Sequence, residues 1–379
     1  MPRIAIVTRA LAPYHRALQE AFAASLGEGS ELRLFYPADV GSVFSRESTL
    51  PRGPHIQCEW IKSFGLSGEA TRFLVKWRSE AFGTQLPSLD LWRKLRAFDP
   101  HLTWVHELSP YTLAGMMMSK WLGKPVVMSS EVGSRNRHLF PHSVRLWHQG
   151  WGRFADGVIA CSPAAREPLG GRGKPVVEAY HAADSRDWLT SDHDSRANGP
   201  VTFIFTGRLI ERKGIDLLMR AARELRFRKP DGWRVILAGS DSDDWAKNQV
   251  VEYELSDRVQ FTGQLESDQL RAEMSRADVF VLPSRADTYA AVVHEAACLG
   301  LPLLISRHAG AADALVSEGE NGFVIDPEVT SDFAEKMERL CDANLRRRMA
   351  TGSRKIAESH SAHIRGPAVR EWMREHFSV

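Results

Sequence analysis

"ADVFVLPSRADTYAAVVHEAACLGLPLLIS", Ala277 to Ser306, decides the fold. It opens on an apolar, β-rich run closed by Pro283-Ser284 and crosses a short loop carrying Asp287. It continues as a small-residue helical run ended by Gly300, and closes on a second apolar run after Pro302. Strand, helix and strand in this order are the unit of a parallel sheet covered by helices. Two carboxylates, Asp287 and Glu295, stand at the ends of an otherwise uncharged stretch. The spacing places Asp287 in the loop at the strand's carboxyl end and Glu295 inside the helix among apolar neighbours. A buried lone carboxylate is costly, so Glu295 is expected to have a hydroxyl or a cation as partner. The backbone N–H groups of Ala290, Ala291 and Val292, at the helix start, are expected to form an anion site of the helix-dipole type.

The same alternation runs along the whole chain. "RIAIVT", "ELRLFY", "LTWVHE", "PVVMSS" and "GVIACS" precede helical patterns in the first half; "VTFIFTG", "WRVILAG", "RVQFTG", "ADVFVLPS" and "PLLIS" do so in the second. At 379 residues the chain exceeds the usual size of one core. The fold class expected is therefore α/β, with two doubly wound, Rossmann-like domains over residues 1–185 and 186–362. The polar stretch Asp187 to Pro200, with its Gly-Pro turn, is the expected linker. Ligands of such sheets bind outside the carboxyl ends of the strands, near the topological switch point, and the cleft between the domains is the first place to look. The closing stretch "AHIRGPAVREWMREHFSV" reads as an amphipathic helix after a Gly-Pro break, with Val369, Trp372, Met373 and Phe377 roughly on one face. This helix, 363–379, is expected to pack back on the first domain.

Composition excludes several classes. A hydrophobic share of 43% and a charged share of 25% are those of a folded globular chain. No window reaches the roughly 18 apolar residues of a membrane span. Cys58, Cys161, Cys298 and Cys341 lie far apart without a CxxC pair, which points to a reducing compartment and no zinc ribbon. The expected location is cytoplasmic. The net charge of +2 hides an asymmetry: residues 1–185 carry 22 Lys and Arg against 16 Asp and Glu, and residues 186–379 carry 27 against 31. Seven of the eleven Trp fall in the basic half, several beside cations: Lys76-Trp77-Arg78, Trp92-Arg93-Lys94, Arg145-Leu146-Trp147 and Trp151-Gly152-Arg153. Two readings stand: contact with an anionic membrane surface or a phosphorylated lipid, or solvated helix faces whose Trp turn to the core.

"FTGRLIERKGIDLLMRAA", Phe205 to Ala222, is a strand, a cationic turn and a helix. Arg208 and Lys213 at the carboxyl end of a parallel strand are placed to meet a diphosphate, and Gly207 allows close backbone approach; a solvated loop is the other reading. Glu131 and Arg135 follow "PVVMSS", His106 follows "LTWV", and His15 and Arg16 follow the first strand. Glu131 and Arg135 sit at a strand's carboxyl end, where a ligand hydroxyl or phosphate would be met, a plain surface ion cluster being equally open; His106 is in the same topological position, with a structural histidine as the other reading, and His15 and Arg16 complete the rim. Asp241, Asp243 and Asp244 read as a solvated acidic loop rather than a Mg²⁺ site. His138 and His142 lack a third ligand for a metal.

These stretches resemble the retaining glycosyltransferases of family 4 (glycosyl transferases group 1), which have the GT-B fold. The resemblance covers the second half through "GRLIERKG", "AGSDSD", "RVQFTGQL", "PSRADTYAAVVHEAACLGLPLLIS" and "AGAADALVSEGENGFVID", in the family's order. It is looser in the first half, on "AIVTRALAPYHRALQEAF", "GKPVVMSSEVGSRNR" and "AYHAAD". The resemblance implies two Rossmann-like domains facing across a cleft, residues 1–185 holding the acceptor and residues 186–362 the nucleotide sugar. It further implies that Arg208 and Lys213 bind the donor's diphosphate, Asp287 contacts the transferred sugar and Glu295 holds the ribose diol. Asp287, Arg208 and Lys213 are thereby the catalytic candidates, and Gly207, Ala290, Ala291, Val292 and Glu295 complete the donor site.

The chain departs from the family at Asp287, in place of the usual Glu, and at Thr288-Tyr289-Ala290, in place of Gly-Phe-Gly. It departs again at Ala309-Gly310, in place of paired glycines, at Asp313, in place of Glu, and at Arg9 to Pro13, where a Gly-Gly loop is usual. The implied activity is retaining hexosyl transfer without a metal or other cofactor, from a nucleotide sugar to a lipid-linked or cell-surface polysaccharide or lipopolysaccharide acceptor. Peripheral contact with an anionic inner membrane face fits this, and nucleic acid is not an expected partner. The alternatives are a nucleotide-sugar epimerase of the same fold and a degenerate glycan-binding or partner subunit.

Overall fold

The computed structural model of the chain describes residues 1–8, 13–38, 50–66, 84–140, 142–169, 173–183, 188, 199–241 and 243–379. Two compact units form: Met1–Ala182 with Ala362–Val379, and Ala183–Ser361. The expected linker lies mostly outside the described residues, as do Lys76-Trp77-Arg78 and Arg9 to Ala12.

The first unit is built on a seven-stranded parallel sheet, with order β3-β2-β1-β6-β7-β8-β9. Its strands are β1 (Arg3–Val7), β2 (Glu31–Pro37), β3 (Ile56–Ile61), β6 (Leu102–His106), β7 (Val126–Ser130), β8 (Gly157–Ala160) and β9 (Val176–Glu178); β4 (Phe64–Leu66) and β5 (Thr84–Leu86) make a separate antiparallel pair. Alternate residues of one strand serve opposite faces, because side chains along a strand have a period of two. Ile4 and Ile6 of β1 pack with Phe22, Leu34 and Trp104 in one core, while Ala5 and Val7 pack with Leu91, Leu95, Tyr111 and Met116 in the other. A sheet buried on both faces explains why its strands read as continuous apolar runs.

The helix Ala362–Phe377 belongs to this unit and packs on the helix Pro13–Ser25. Val369, Trp372 and Met373 enter the first core, with Phe377 against it. The Gly-Pro break expected here is not one: the helix starts at Ala362 and continues through Gly366 and Pro367. A Cβ on Gly366 would stand 2.5 Å from the carbonyl carbon of Ala21, so the glycine is where the helices touch closest.

The second unit holds a six-stranded parallel sheet, with order β12-β11-β10-β13-β14-β15. Its strands are β10 (Val201–Thr206), β11 (Trp233–Ala238), β12 (Val259–Gly263), β13 (Val279–Leu282), β14 (Leu303–Ser306) and β15 (Gly322–Ile325). All six residues of β10 are buried. The helix Ile215–Arg228 covers it with Ile215, Leu218, Met219, Ala222 and Leu225, spaced three and four apart. Both sheets reverse their strand order once, between β1 and β6 in the first unit and between β10 and β13 in the second. Those are the switch points at which doubly wound sheets bind ligands.

Candidate functional site

In the second unit the loops that leave β10 and β13 are zipped together. After β10 the chain passes Gly207 and Arg208, makes a single turn over Glu211–Lys213, and enters the helix Ile215–Arg228 through Gly214. Gly214 has φ 74°, and a Cβ there would stand 2.1 Å from the carbonyl oxygen of Pro283, at the end of β13. Only glycine permits that approach. The backbone N–H of Arg285 donates to the carbonyl of Arg212 at 2.9 Å, and the Arg212 guanidinium donates to the carbonyl of Ala286 at 2.7 Å. Across this seam Lys213 Nζ meets Asp287 Oδ2 at 2.5 Å, with the two side chains only 15% and 11% exposed. Asp287 is held from the far side by the loop after β14: its N–H donates to the His308 carbonyl at 3.0 Å, and its carbonyl accepts from the Gly310 N–H at 3.1 Å.

Arg208 is exposed at the rim of this seam. Desolvation, then the neighbouring Arg212, lowers its pKa without neutralising a guanidinium. Two close cations make a place where an anion is favoured. Ala290, Ala291 and Val292 form the approach to and first position of the short helix Val292–Cys298, as the sequence placed them. Ala290 takes φ 69°, a conformation unfavourable to any residue with a Cβ.

Glu295 lies one turn into that helix, half-buried. The expected hydroxyl or cation partner is absent among the described residues. Burial alone, without a compensating charge, raises its pKa to about 7. A carboxylate left in this state has its full accepting capacity available for a ligand. Its neighbour His294 is spent on structure: Nδ1 accepts the Ala183 N–H at 3.1 Å, and Nε2 is 3.0 Å from the Ala357 carbonyl.

The acidic loop beyond β11 is partly structural. Asp241 accepts from the backbone N–H groups of Ala246 and Lys247, capping the helix Trp245–Glu252, and Asp244 pairs with Lys247. Among the described residues no group of three or more His, Cys, Asp or Glu is arranged to hold a metal ion.

In the first unit, His15, His106 and Glu131 come together at the switch end of the sheet. The rings of His15 and His106 stack at 4.4 Å, and His181 joins them, 5.1 Å from His15. His181 Nε2 is 2.6 Å from Glu131 Oε1. Burial, then the charge of neighbouring imidazoles, lowers the pKa of His15 well below its usual value and that of His106 to about 3. Gln19 Nε2 lies 3.1 Å from His106 Nε2. The backbone of Glu131 is held as firmly, its N–H donating to Glu107 Oε1 at 2.7 Å and its carbonyl accepting from Asn136 and Ser162. Arg16 pairs along its own helix with Glu20 at 2.8 Å, and Arg135 is exposed in the turn after β7. A hollow of about 690 Å³ lies elsewhere in this unit, lined by Ser134, Arg137, Arg166, Glu167, Lys174 and Val176 among others. Its cations are largely committed: Arg166 pairs with Glu178, and Lys174 donates to backbone carbonyls.

Sequence reasoning missed three participants. His181 stood in a segment read only as the link into the second domain, fifty positions from Glu131, and no local period connects them. Arg285 and Asp216 form a bidentate pair at 2.6 and 2.7 Å beside the Lys213 turn. Both lay inside quoted motifs, and their opposite charge was the available signal.

Residues 190–356 match the family model described as glycosyl transferases group 1. Among curated proteins the chain is similar to the D-inositol 3-phosphate glycosyltransferase of Pseudarthrobacter chlorophenolicus, 32% identical over 252 residues, 61% of this chain and 60% of that protein. It is 28% identical over 205 residues to the glycogen synthase of Mycobacterium tuberculosis, 53% of this chain and 48% of that protein. The chain thus spans about half the length of the glycogen synthase and less than two thirds of the D-inositol 3-phosphate glycosyltransferase. Among solved structures, the sucrose-phosphate synthase of Thermosynechococcus elongatus superposes with a TM-score of 0.71 at 18% identity, covering 100% of both chains. HepE of Anabaena in complex with UDP does so with 0.69 at 19% identity, covering 99% of both. Those likenesses fix the architecture as GT-B, and within its second unit residues 190–356 are similar to the glycosyl transferases group 1.

Proposed function

We propose that the chain is a retaining glycosyltransferase that moves a sugar from a nucleotide-sugar donor to a phosphate-bearing or lipid-linked glycan acceptor. The observation that carries the proposal is the Lys213–Asp287 pair at the switch point of the second sheet, with Glu295 eight residues on and without a side-chain partner among the described residues. In this reading Arg208 and Lys213 hold the donor's diphosphate, with Gly207 letting it approach the backbone. The N–H groups of Ala290, Ala291 and Val292 face the phosphates. Glu295, ionised on binding, accepts from both ribose hydroxyls. Asp287 faces the transferred sugar.

Transfer breaks the bond between the sugar's anomeric carbon and the diphosphate oxygen. The acceptor oxygen bonds to that carbon on the same face, and the acceptor's proton passes to the departing diphosphate. Arg208 and Lys213 stabilise the charge that grows on the leaving group, the contribution expected to be largest. Positive charge from these two residues is what makes a metal unnecessary in this account, and an assay with and without EDTA checks it.

The first unit supports the acceptor part. Glu131, His15, His106 and Arg135 occupy the carboxyl ends of β1, β6 and β7, where Glu131 positions the acceptor hydroxyl and Arg135 meets an anionic group. The relatives include a D-inositol 3-phosphate glycosyltransferase and a mannosyltransferase named for phosphatidylinositol monomannoside, which favours an acceptor with a phosphate. Among the described residues no helix is long and apolar enough to cross a membrane. Trp121, 68% exposed, lies 6.0 Å from Trp92, over which Arg96 is placed at 5.0 Å. That surface supports peripheral contact with an anionic membrane, and co-sedimentation with anionic but not neutral vesicles tests it.

The test of the function is incubation with a panel of UDP-, GDP-, ADP- and dTDP-sugars plus candidate phosphorylated acceptors. Release of nucleoside diphosphate that requires both substrates, with a product of the donor's anomeric configuration, is the expected result. Donor isomerised without acceptor points instead to an epimerase. Absence of any turnover with a donor that binds points to a non-catalytic glycan-binding subunit.

A further inference from the structure

The geometry points to Arg285 as a positioning residue for the diphosphate end of the donor site, acting through Asp216 on the turn that carries Lys213. The inference rests on the donor-site reading above and adds residues to it.

Arg285 is the one side chain in the β13 loop that ties into the Lys213 turn at several points. Its guanidinium grips both carboxylate oxygens of Asp216, at 2.7 and 2.6 Å, and also donates to the Glu211 carbonyl at 2.8 Å. Its backbone N–H donates to the Arg212 carbonyl at 2.9 Å. Glu328 approaches its Nε at 3.3 Å from a third loop. Asp216 is buried in the first turn of the helix Ile215–Arg228, three residues beyond Lys213. One planar fork therefore spans the turn before Lys213 and the helix after it, while its own backbone leads two residues later to Asp287. Lys213 and Asp287 meet across a seam that Arg285 closes.

The side chain is 28% exposed and Asp216 11%, so the pair is shielded enough to hold a fixed geometry. Removing the fork frees the Lys213 turn from its carboxylate anchor without touching the ammonium or the ribose-binding acid. Lysine is not a substitute, because a point charge cannot satisfy two carboxylate oxygens and a carbonyl in one plane. A residue that only stabilised the fold would weaken every ligand alike. One that places Lys213 weakens the contact to the outer phosphate selectively.

The experiment compares the affinity of nucleoside diphosphate and monophosphate of each base (UDP and UMP, GDP and GMP, ADP and AMP, dTDP and dTMP) by calorimetry. The proteins are the wild type, Arg285→Lys, Arg285→Met, Asp216→Asn, Lys213→Ala and Lys213→Ala with Arg285→Met. Wild type is expected to favour the diphosphate of one base by about tenfold or more. Arg285→Met and Arg285→Lys lower that ratio to within about threefold with the monophosphate affinity unchanged, and the double variant falls no further than Lys213→Ala. Folded Arg285 variants that keep the wild-type ratio, or lose both affinities in parallel, overturn the inference. If Arg285→Met does not fold, Asp216→Asn, which keeps the side chain's shape, decides in the same way. A wild type that binds no nucleoside diphosphate overturns the donor-site reading itself, and this inference with it.

Discussion

Lys213 and Asp287, 74 positions apart in the chain, close on one another at 2.5 Å where the second sheet reverses its strand order. The pair is largely shielded from water, so each charge depends on the other. In the proposed reading a donor entering here meets, with its phosphates, a cation already oriented by a carboxylate, and that carboxylate stands beside the sugar. Lys213→Ala is expected to lower the transfer rate by about 10²–10³, the usual effect of losing one stabiliser of developing charge. It is also expected to destabilise the second unit, because a shielded carboxylate then lacks its partner. Single-turnover kinetics and thermal unfolding measure the two effects separately, and an unchanged single-turnover rate contradicts the assignment.

In the proposed reading Glu295 makes both stability and donor binding depend on pH. Its pKa of about 7 lies above the ordinary 4.5, so between those values the folded chain binds more protons than the unfolded one. Stability therefore falls as pH rises across that window, and Glu295→Gln flattens the fall. Nucleotide affinity runs the other way: the ribose hydroxyls want the ionised form, so affinity climbs as pH approaches about 7 and levels above it. Titrations at pH 5.5, 6.5 and 8 on both proteins check the pair of trends. Parallel pH profiles for wild type and Glu295→Gln contradict them.

Ala290 at φ 69° sits where a Cβ is disfavoured by roughly 1 kcal/mol, and the family usually has a glycine at this place in the motif. Ala290→Gly is expected to be neutral to stabilising by up to about 1 kcal/mol, raising the melting temperature by roughly 2–4 °C. Ala290→Val is expected to be clearly destabilising. Differential scanning fluorimetry distinguishes them, and a destabilised glycine variant shows that the strain is offset by contacts of the alanine methyl.

The alternation of strand and helix was legible because both sheets are buried on both faces, which writes them as uninterrupted apolar runs. Asp287 and Lys213 were legible because each follows such a run within a few residues. That Glu295 has no partner among the described residues was not, since the rule that buried carboxylates are paired says nothing of a carboxylate that, in the proposed reading, is kept for a ligand. The helix through Gly366 and Pro367 was misread for a related reason: a Gly-Pro pair stops helices locally, but tight packing of Gly366 on Ala21 favours continuing. His181 was invisible because the contacts that matter to it come from strands and loops remote in sequence.

In the proposed reading Glu131, with His181, serves the acceptor and not the donor. Glu131→Gln keeps the shape and the backbone bonds but removes the charge facing His181. The expected outcome is at least a tenfold loss of acceptor-dependent transfer with nucleotide affinity unchanged. A loss confined to nucleotide binding places Glu131 with the donor instead.

In the proposed reading the second unit holds a nucleoside diphosphate between Lys213, Arg208 and Glu295. Thermal unfolding with UDP, GDP, ADP and dTDP, each with and without EDTA, tests it most directly, since a ligand that binds only the folded state stabilises it by about 2.7 kcal/mol at a hundred times its Kd. One nucleotide is expected to raise the melting temperature, EDTA to leave the shift in place, and Lys213→Ala to diminish it. No shift with any of the four at millimolar concentration contradicts the account.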